Sequence, residues 1–364
     1  MMNSKKVIFL FTPGPIGGAE KIVLHGIMAL KKEKIDVELW LIKEERVPHV
    51  AEAFIELLKF YEIQYRVFSS YKVFDRKLLK TLEQDFLQIA PAIIHAHGFK
   101  AAFYGKLSIP TGTKLVVTHH GKTSHTFKVK VYEYIEDQIM KRAAAVIAVS
   151  QDMKIQLTQA GIASNKIKVV ENFMTSKVIP RSRTDSVPLK LLFVGRLSPE
   201  KGCSVLIDAM AKLERGAFKL TVLGQGIEFS NLQKQMQEQN LAGDVTFVGF
   251  KQNVNEYMAL CDVIVMPSFR EGQPLTLIEA CCMGIPVVAS NVGGIPELVK
   301  EENGYLVPAN DSFELSQALK RLTLNLASLE KSSEELSHQY KDRFSGQTWA
   351  NNTISVYKTV CSHL

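Results

Sequence analysis

The amino-acid sequence predicts an α/β protein built from two doubly wound parallel-sheet domains. Short apolar runs, typical of buried strands, alternate with stretches of helical period along the chain. The alternation stops between residues 173 and 188, a segment that ends in a proline and has no clear period, and then resumes. The length of 364 residues suits two domains that each bury a core. We therefore expect one domain at 1–172, a linker at 173–188 and a second domain at 189–345.

Each strand is predicted from a short apolar run that is bounded by polar or turn-forming residues. In the first half these runs are Val7–Phe11, Val37–Leu41, Tyr65–Phe68, Ala92–His95, Leu115–Thr118, Ala145–Val149 and Ile167–Val170. In the second half they are Leu189–Val194, Leu220–Leu223, Val245–Val248, Val263–Met266, Pro286–Ala289 and Tyr305–Val307. Helical periodicity between them is clear at Ala19–Lys31, Lys77–Gln88, Val131–Arg142 and Val205–Leu213.

Composition is that of a globular protein, with 46% hydrophobic and 22% charged residues. The five cysteines show no Cys-x-x-Cys spacing, which favours reduced, mostly buried thiols and a cytoplasmic location. No apolar run approaches the roughly 20 residues that span a bilayer. At most, the sequence predicts a peripheral position at the inner face of a membrane.

Positive charge is concentrated in the first half of the chain. Residues 1–172 hold 25 Lys and Arg against 17 Asp and Glu, a net charge of +8, whereas the remaining 19 basic and 20 acidic residues give −1. Nucleic-acid binding is not expected, because no recognition motif or Arg-rich run accompanies the charge. An anionic membrane or a phosphate-carrying acceptor explains the asymmetry, and a merely basic surface is the alternative.

Two glutamates eight residues apart, Glu271 and Glu279, are the most informative feature. Glu271 lies in the loop after the apolar run Val263–Met266, and Glu279 lies on the helix that we expect to begin at Pro274. A carboxylate on that helix can accept two hydrogen bonds from a ribose diol. The turn before it offers backbone N–H groups at a helix N-terminus, which favour an anion; it consists of Gly272, Gln273, Pro274 and Leu275.

A second motif, Gly-Arg-Leu-Ser-Pro-Glu-Lys-Gly at residues 195–202, follows an apolar strand and precedes a helix. It places the cations of Arg196 and Lys201 at the carboxyl edge of a parallel sheet. Fixed positive charge at this position suits a diphosphate. A basic surface turn is the alternative for this motif alone, but its combination with the glutamate pair is specific.

Together the two motifs resemble the group 1 glycosyltransferases of family 4, which have the GT-B fold and retain anomeric configuration. The resemblance extends over essentially the whole chain. It implies two Rossmann-like domains facing each other across a cleft, with a C-terminal helix at about 348–361 that packs back on the first domain. Further marks of the family are Gly17-Gly18-Ala19-Glu20, His95-Ala96-His97-Gly98, Thr118-His119-His120 and Gly293-Gly294-Ile295-Pro296-Glu297.

The resemblance also implies roles for individual residues. Arg196 and Lys201 would stabilise the leaving diphosphate, Glu279 would hold the ribose, and Glu271 with the amides of 272–275 would bind the donor sugar. His120 would contact the donor sugar and His97 would line the cleft. Glycine stands at 121, where related enzymes frequently carry an acidic residue, and this departure affects the sugar or acceptor contact.

Backbone at Gly17 and Gly18, in a loop that heads a helix, is expected to approach a ligand phosphate. A turn that needs positive φ is the alternative for either glycine. Dinucleotide-binding and Walker fingerprints are excluded, because the turn after the first strand lacks Gly-x-Gly-x-x-Gly spacing and position 116 is Val rather than Gly.

The expected reaction is sugar transfer from a nucleotide-diphosphate donor, with UDP-sugars favoured, to a hydroxyl of a saccharide or lipid-linked acceptor. No metal or other cofactor is expected, because the sequence has no Asp-x-Asp and no His-Glu-x-x-His. We expect a front-face mechanism in cell-surface polysaccharide or glycolipid synthesis. The alternatives are a non-hydrolysing sugar-nucleotide epimerase and a catalytically silent nucleotide-sugar-binding scaffold.

Overall fold

The computed structural model describes residues 5–121, 127–181 and 188–362, and the side chains of residues 127–130 lie outside this description. The chain forms two compact units, one comprising residues 1–175 and 345–364 and the other residues 176–344. Residues 182–187, part of the predicted linker 173–188, lie outside the described residues. The roles assigned to the two domains from the sequence stay predictions.

The first unit alternates strands and helices, as the sequence predicts. Its elements are β1 (Val7–Phe11), α1 (Gly18–Lys32), β2 (Val37–Glu44), α2 (Pro48–Phe60), β3 (Tyr65–Ser70), α3 (Arg76–Ile89), β4 (Ile93–His97), α4 (Phe99–Ser108), β5 (Lys114–His119), α5 (Phe127–Arg142), β6 (Ala145–Ala148), α6 (Gln151–Gln159) and β7 (Ile167–Val169). Within the described residues the strands are parallel, in the order β3-β2-β1-β4-β5-β6-β7. The order reverses between β1 and β4, and α/β proteins bind ligands beyond the carboxyl ends of such a strand pair.

The second unit has the same construction. Its elements are β8 (Leu189–Val194), α7 (Cys203–Met210), β9 (Phe218–Leu223), α8 (Phe229–Glu238), β10 (Val245–Gly249), α9 (Val254–Leu260), β11 (Val263–Met266), α10 (Leu275–Cys282), β12 (Val287–Ser290), β13 (Gly304–Val307) and α11 (Ser312–Arg343). The described strands are parallel and ordered β10-β9-β8-β11-β12-β13. The strand order reverses between β8 and β11, the strands that precede the two motifs.

The last helix, α12 (Gly346–Val360), belongs to the first unit. Ser345 begins it by accepting a hydrogen bond at its Oγ from the Thr348 N–H at 3.1 Å. It packs on α1, where a Cβ at Gly26 would come within 2.6 Å of the Trp349 ring. Glycine at this position therefore sets how closely the two helices approach.

The central strand β1 is uniformly apolar because helices cover parallel sheets on both faces. Every residue of β1 is at most 3% exposed. Four of the five cysteines (Cys203, Cys261, Cys281 and Cys282) are buried, as expected, and burial raises the pKa of the Cys203 thiol to about 12. The strand orders given above confirm the two parallel sheets that the sequence predicts.

Candidate active site

The two motifs of the second unit are joined by an ion pair at the point where the strand order reverses. The Lys201 Nζ donates to Glu271 Oε1 at 2.6 Å, and the Ser268 hydroxyl donates to the same oxygen at 2.8 Å. The side chain of Glu271 is 9% exposed and that of Lys201 is 27% exposed. A nearly buried carboxylate is thus neutralised by a cation that solvent still reaches.

Backbone geometry determines how Lys201 reaches Glu271. Residues Pro199–Lys201 form a short 3-10 turn, after which Gly202 adopts a left-handed conformation with φ of +65°. A Cβ at Gly202 would collide with the carbonyl oxygen of Pro267, so the approach of these two loops requires glycine. The loops are also joined by a hydrogen bond from the Phe269 N–H to the carbonyl oxygen of Glu200 at 2.8 Å.

The loop after β12 supports the other side of the glutamate turn. Gly293 has a φ of +55°, and a Cβ there would collide with the carbonyl oxygen of Glu271. The Gly294 N–H donates to the carbonyl oxygen of Gly272 at 3.0 Å. The Gly293-Gly294 motif therefore holds the backbone of the Glu271-Gly272 turn in place.

Glu279 lies on α10 and is 4% exposed. Its Oε1 accepts a hydrogen bond from the Ser176 hydroxyl at 2.6 Å. Since α10 begins at Leu275, Pro274 precedes the helix rather than opening it as the sequence predicts. Pro274 contributes no N–H, so an anion at the predicted turn of Gly272, Gln273, Pro274 and Leu275 meets one donor fewer. Gln273 is buried at 5% exposure.

Arg196 lies two residues after the end of β8, and its side chain is exposed. Its loop is held by the Leu197 N–H, which donates to the carbonyl oxygen of Gln225 at 2.9 Å. The guanidinium is therefore attached to an ordered backbone while its charge remains in solvent. The assignment of Arg196 to a diphosphate stays a prediction.

Three histidines of the first unit form a cluster at the carboxyl ends of β4 and β5, in which His95 and His97 are buried and His120 is half-buried. His95 and His97 share one face of β4, with ring centroids 4.3 Å apart. The Nδ1 of His97 lies 3.3 Å from the Nε2 of His120. His119 points away from them and lies 3.6 Å from the Glu136 carboxylate. The structure thus brings together His97 and His120, the two histidines that the resemblance selects.

Burial keeps these imidazoles neutral, because a low-dielectric environment disfavours the charged form. Desolvation, followed by the nearby His120, lowers the pKa of His95 to about 3. Desolvation, followed by His119, lowers the pKa of His120 to about 4, and the pKa of His97 is held well below its usual range. At neutral pH the cluster can donate and accept hydrogen bonds but carries no charge.

The glycine loop after β1 already holds a carboxylate of the protein. Glu20 accepts hydrogen bonds from the backbone N–H groups of Gly14 at 2.8 Å and Gly17 at 3.0 Å. The Gly17 amide that the sequence assigns to a ligand phosphate is therefore used within the loop. Ligand contact by Gly17 and Gly18 remains a prediction.

Sequence reasoning did not select Ser176 or Ser268. Ser268 stands three residues before Glu271, a spacing typical of local side-chain bonds, which is a usable signal. Ser176 is 103 residues from Glu279, and no local pattern predicts that contact.

Within the described residues, no helix is long and apolar enough to cross a membrane. No group of three or more His, Cys, Asp or Glu side chains able to hold a metal ion occurs in that part of the chain.

Two family models match consecutive parts of the chain. The model described as Glycosyltransferase Family 4 matches residues 16–175, and the one described as Glycosyl transferases group 1 matches residues 176–343. The chain therefore belongs to the group 1 glycosyltransferases of family 4. The second match includes Arg196, Lys201, Glu271 and Glu279.

Curated relatives include the amylovoran biosynthesis glycosyltransferase AmsK of Erwinia amylovora, 28% identical over 62% of this chain and 60% of that protein. The putative colanic acid biosynthesis glycosyltransferase WcaL of Escherichia coli is 31% identical over 61% of this chain and 58% of that protein. The chain thus matches less than two thirds of the length of these two relatives. Another Escherichia coli relative, a UDP-Gal:alpha-D-GlcNAc-diphosphoundecaprenol alpha-1,3-galactosyltransferase, is 27% identical over 68% of each chain.

Among solved structures, Anabaena HepE in complex with UDP superposes with a TM-score of 0.82 at 24% identity, covering 97% of this chain and 100% of that one. HepE has also been solved with UDP-glucose, with a TM-score of 0.82. At this identity the likeness establishes the fold, which is that of a GT-B glycosyltransferase.

Proposed function

We propose that this protein is a retaining glycosyltransferase that moves a hexosyl or N-acetylhexosaminyl group from a nucleotide-diphosphate sugar to a hydroxyl acceptor. The observation that carries the proposal is the Lys201–Glu271 ion pair at the strand reversal of the second unit. Glu279 is buried on the helix that follows the same loop. This arrangement supplies a cation for a diphosphate and two carboxylates for hydroxyl groups.

In the proposed front-face reaction, the bond from the anomeric carbon to the diphosphate oxygen breaks while the acceptor oxygen bonds to that carbon on the same face. The acceptor proton passes to the leaving phosphate oxygen. Negative charge grows on the diphosphate in the transition state, and Lys201 and Arg196 stabilise it. Donor binding redirects Lys201 from Glu271 to the phosphate, which leaves Glu271 and the amides of 272–275 for sugar hydroxyls.

Glu279 would bind the ribose hydroxyls in place of the Ser176 hydroxyl that it now accepts from. A buried carboxylate suits this role, because its hydrogen bonds to a diol are shielded from water. His97 and His120, neutral at pH 7, would bind donor or acceptor hydroxyls without adding charge. No step requires a metal ion.

A UDP-sugar donor and a cell-surface polysaccharide or lipid-linked acceptor are the favoured substrates. The support is by analogy: HepE has been solved with UDP and UDP-glucose, and the relatives named above include polysaccharide enzymes and a UDP-galactose transferase. We also propose that the two carboxylates after β11 bind different parts of the donor. Glu271 would bind the hydroxyl groups of the sugar, and Glu279 would bind those of the ribose.

The test is NMR of the reaction between α-linked UDP-sugars and a panel of saccharide and lipid-linked acceptors. An α-linked product together with released UDP supports the proposal. A β-linked product would refute retention, and a changed sugar-nucleotide in the absence of acceptor would favour the epimerase alternative. Nucleotide binding without turnover on any acceptor would favour the scaffold.

We further propose that the segment 71–77 contacts an anionic membrane surface. Tyr71, Val73 and Phe74 are 63%, 50% and 43% exposed, and the intervening and following cations Lys72 and Arg76 are exposed as well. Exposed apolar side chains interleaved with cations suit the interface of an anionic bilayer.

The acidic residue of this segment is buried, whereas its cations are exposed. Asp75 is buried at 8% exposure and accepts hydrogen bonds from the backbone N–H groups of Tyr71, Lys77 and Leu78. These hydrogen bonds, of which the one from Tyr71 has the largest effect, hold the pKa of the Asp75 carboxyl below its usual range. The segment therefore presents cations and apolar groups outward while its carboxylate caps α3.

Co-sedimentation with phosphatidylglycerol vesicles tests the membrane proposal. The double variant Tyr71→Ser/Phe74→Ser should release the protein, while Ile227→Ser/Leu324→Ser, which removes side chains that are 82% and 83% exposed in the second unit, should not. Equal binding by all three proteins, or binding to purely zwitterionic vesicles, would contradict the proposal.

A further inference from the structure

The first unit contains a small cavity next to the histidine cluster. Its lining includes His97, Thr118, Asn172, Trp349 and Thr353, all of them buried. The space available to the centre of a water molecule is about 10 Å³. A cavity of this size is just sufficient for one water.

Two polar atoms of the lining residues are buried without a hydrogen-bond partner among the described residues: His97 Nε2 and Thr353 Oγ1. His97 is 1% exposed and Thr353 is fully buried. A buried polar atom left unsatisfied costs about 1–3 kcal/mol. Ordered water commonly satisfies such atoms when two or more of them face one cavity.

The helix that carries Thr353 is already bonded to the cluster at a second point. The Tyr357 hydroxyl, one turn further along α12, lies 2.7 Å from His95 Nδ1. His95 Nε2 in turn lies 2.7 Å from Thr118 Oγ1, and Thr118 lines the cavity. Tyr357 thus bonds His95, and Thr353, four residues earlier on the same helix face, lines the cavity beside His97.

The tautomer of His97 depends on whether its Nε2 donates or accepts a hydrogen bond. A neutral imidazole carries one N–H, so if Nε2 donates, Nδ1 must accept from His120 Nε2. If Nε2 accepts, the direction of the His97–His120 bond reverses. The direction of the hydrogen bond at His97 Nε2 therefore decides which nitrogen of His120 carries the proton. A water can donate or accept at Nε2, so its orientation, set by its other partner, selects the tautomer.

We propose that the cavity holds one ordered water that bridges His97 Nε2 and Thr353 Oγ1, so that α12 fixes the tautomers of His97 and His120. Thr353 is then a positioning residue for the histidine pair, acting through the water and not by contact with substrate. The consequence for catalysis rests on the proposed function, in which His120 contacts the donor sugar; the water and the tautomers do not.

The test compares Thr353→Val, which keeps the shape and removes the hydroxyl, with Thr353→Ser, which keeps the hydroxyl. The ring ¹⁵N shifts of His97 and His120 report the tautomers directly, and a high-resolution crystal structure of the wild type reports the water. We expect a single tautomer for each ring in the wild type and in Thr353→Ser, and an altered or mixed population in Thr353→Val. Transfer activity of Thr353→Val should fall by up to about tenfold, the value of one hydrogen bond, with Ser restoring it.

Unchanged ring ¹⁵N shifts in folded Thr353→Val, or a dry cavity in the crystal, would overturn the inference. The two proposals fail separately. If the tautomers change in Thr353→Val but the wild type transfers no sugar, the positioning role stands and the proposed function is wrong. If the wild type is active and the tautomers do not respond, the function stands and the role of Thr353 is wrong.

Discussion

Replacing Lys201 by alanine should separate transition-state stabilisation from folding. The lysine Nζ lies 2.6 Å from Glu271 Oε1, and its side chain is 27% exposed. In the proposed reaction it moves onto a diphosphate whose charge grows as the sugar leaves. Losing one preorganised contact of this kind costs about 10²–10³ in kcat, or about 2.7–4 kcal/mol of transition-state stabilisation.

The cost in folding stability should be smaller. Breaking a buried ion pair costs about 3–5 kcal/mol, whereas an exposed pair contributes about 0–1 kcal/mol. The Lys201–Glu271 pair lies between these cases, and Ser268 still donates to the same carboxylate oxygen at 2.8 Å in the variant. We therefore expect a loss of about 1–2 kcal/mol, measurable by urea denaturation, in a protein that remains folded.

The assay is single-turnover release of nucleoside diphosphate, with nucleotide affinity measured separately by calorimetry. Lys201→Ala should lose 10²–10³ in rate with a much smaller change in nucleotide affinity. The double variant Lys201→Met/Glu271→Gln, which leaves no unpaired charge, should recover stability and stay inactive. A folded Lys201→Ala enzyme whose kcat is within about threefold of the wild type would refute the assigned role of Lys201.

Three further predictions follow from the same site and cluster. Glu279→Ala should mainly raise the donor KM, and Ser176→Ala, which removes its present hydrogen-bond donor, should not; a fall in kcat at unchanged KM would contradict the ribose role. Transfer should survive EDTA, and complete loss restored by Mn²⁺ or Mg²⁺ would show that the diphosphate is held by a metal. His95, whose pKa falls from 6.5 to about 3 on burial, binds protons in the unfolded state first, so its contribution to stability is present above pH 6.5 and is lost towards pH 3. His95 alone accounts for about 2 kcal/mol of the stability lost between pH 7 and pH 5, measured by urea denaturation, and His97 and His120 add to that loss. A His95 ring that titrates near 6.5 by NMR would contradict the prediction.

The strands of both sheets could be predicted from the sequence because each is a compact apolar run. Val7–Phe11 and Leu189–Val194 are observed with the bounds that the sequence predicts. Helix bounds were predicted less accurately. Periodicity predicts Val205–Leu213, whereas α7 spans Cys203–Met210, because the turn at Gly202 starts the helix two residues earlier. The length of α11, Ser312–Arg343, was not predicted, since its buried stripe is set by packing against the second unit's core.

The site could be predicted as a set of residues but not as a set of contacts. Lys201 and Glu271 were selected for separate ligand groups, and their ion pair joins positions 70 residues apart. The two loops meet only because β8 and β11 are neighbours in the sheet, a pairing that neither motif encodes locally. The same holds for His97 and His120, whose contact depends on the pairing of β4 with β5.

The measurement that tests the central claim most directly is a thermal-shift titration with UDP, GDP and ADP, on the wild type and on Glu279→Ala. A diphosphate and ribose site in the second unit predicts stabilisation of the wild type by one nucleotide, with UDP favoured, of about 2.7 kcal/mol when the ligand reaches 100 Kd. The Glu279→Ala shift should be smaller at the same concentration. If no nucleotide stabilises the folded wild type, the assignment of Lys201, Glu271 and Glu279 to a nucleotide-sugar site is wrong.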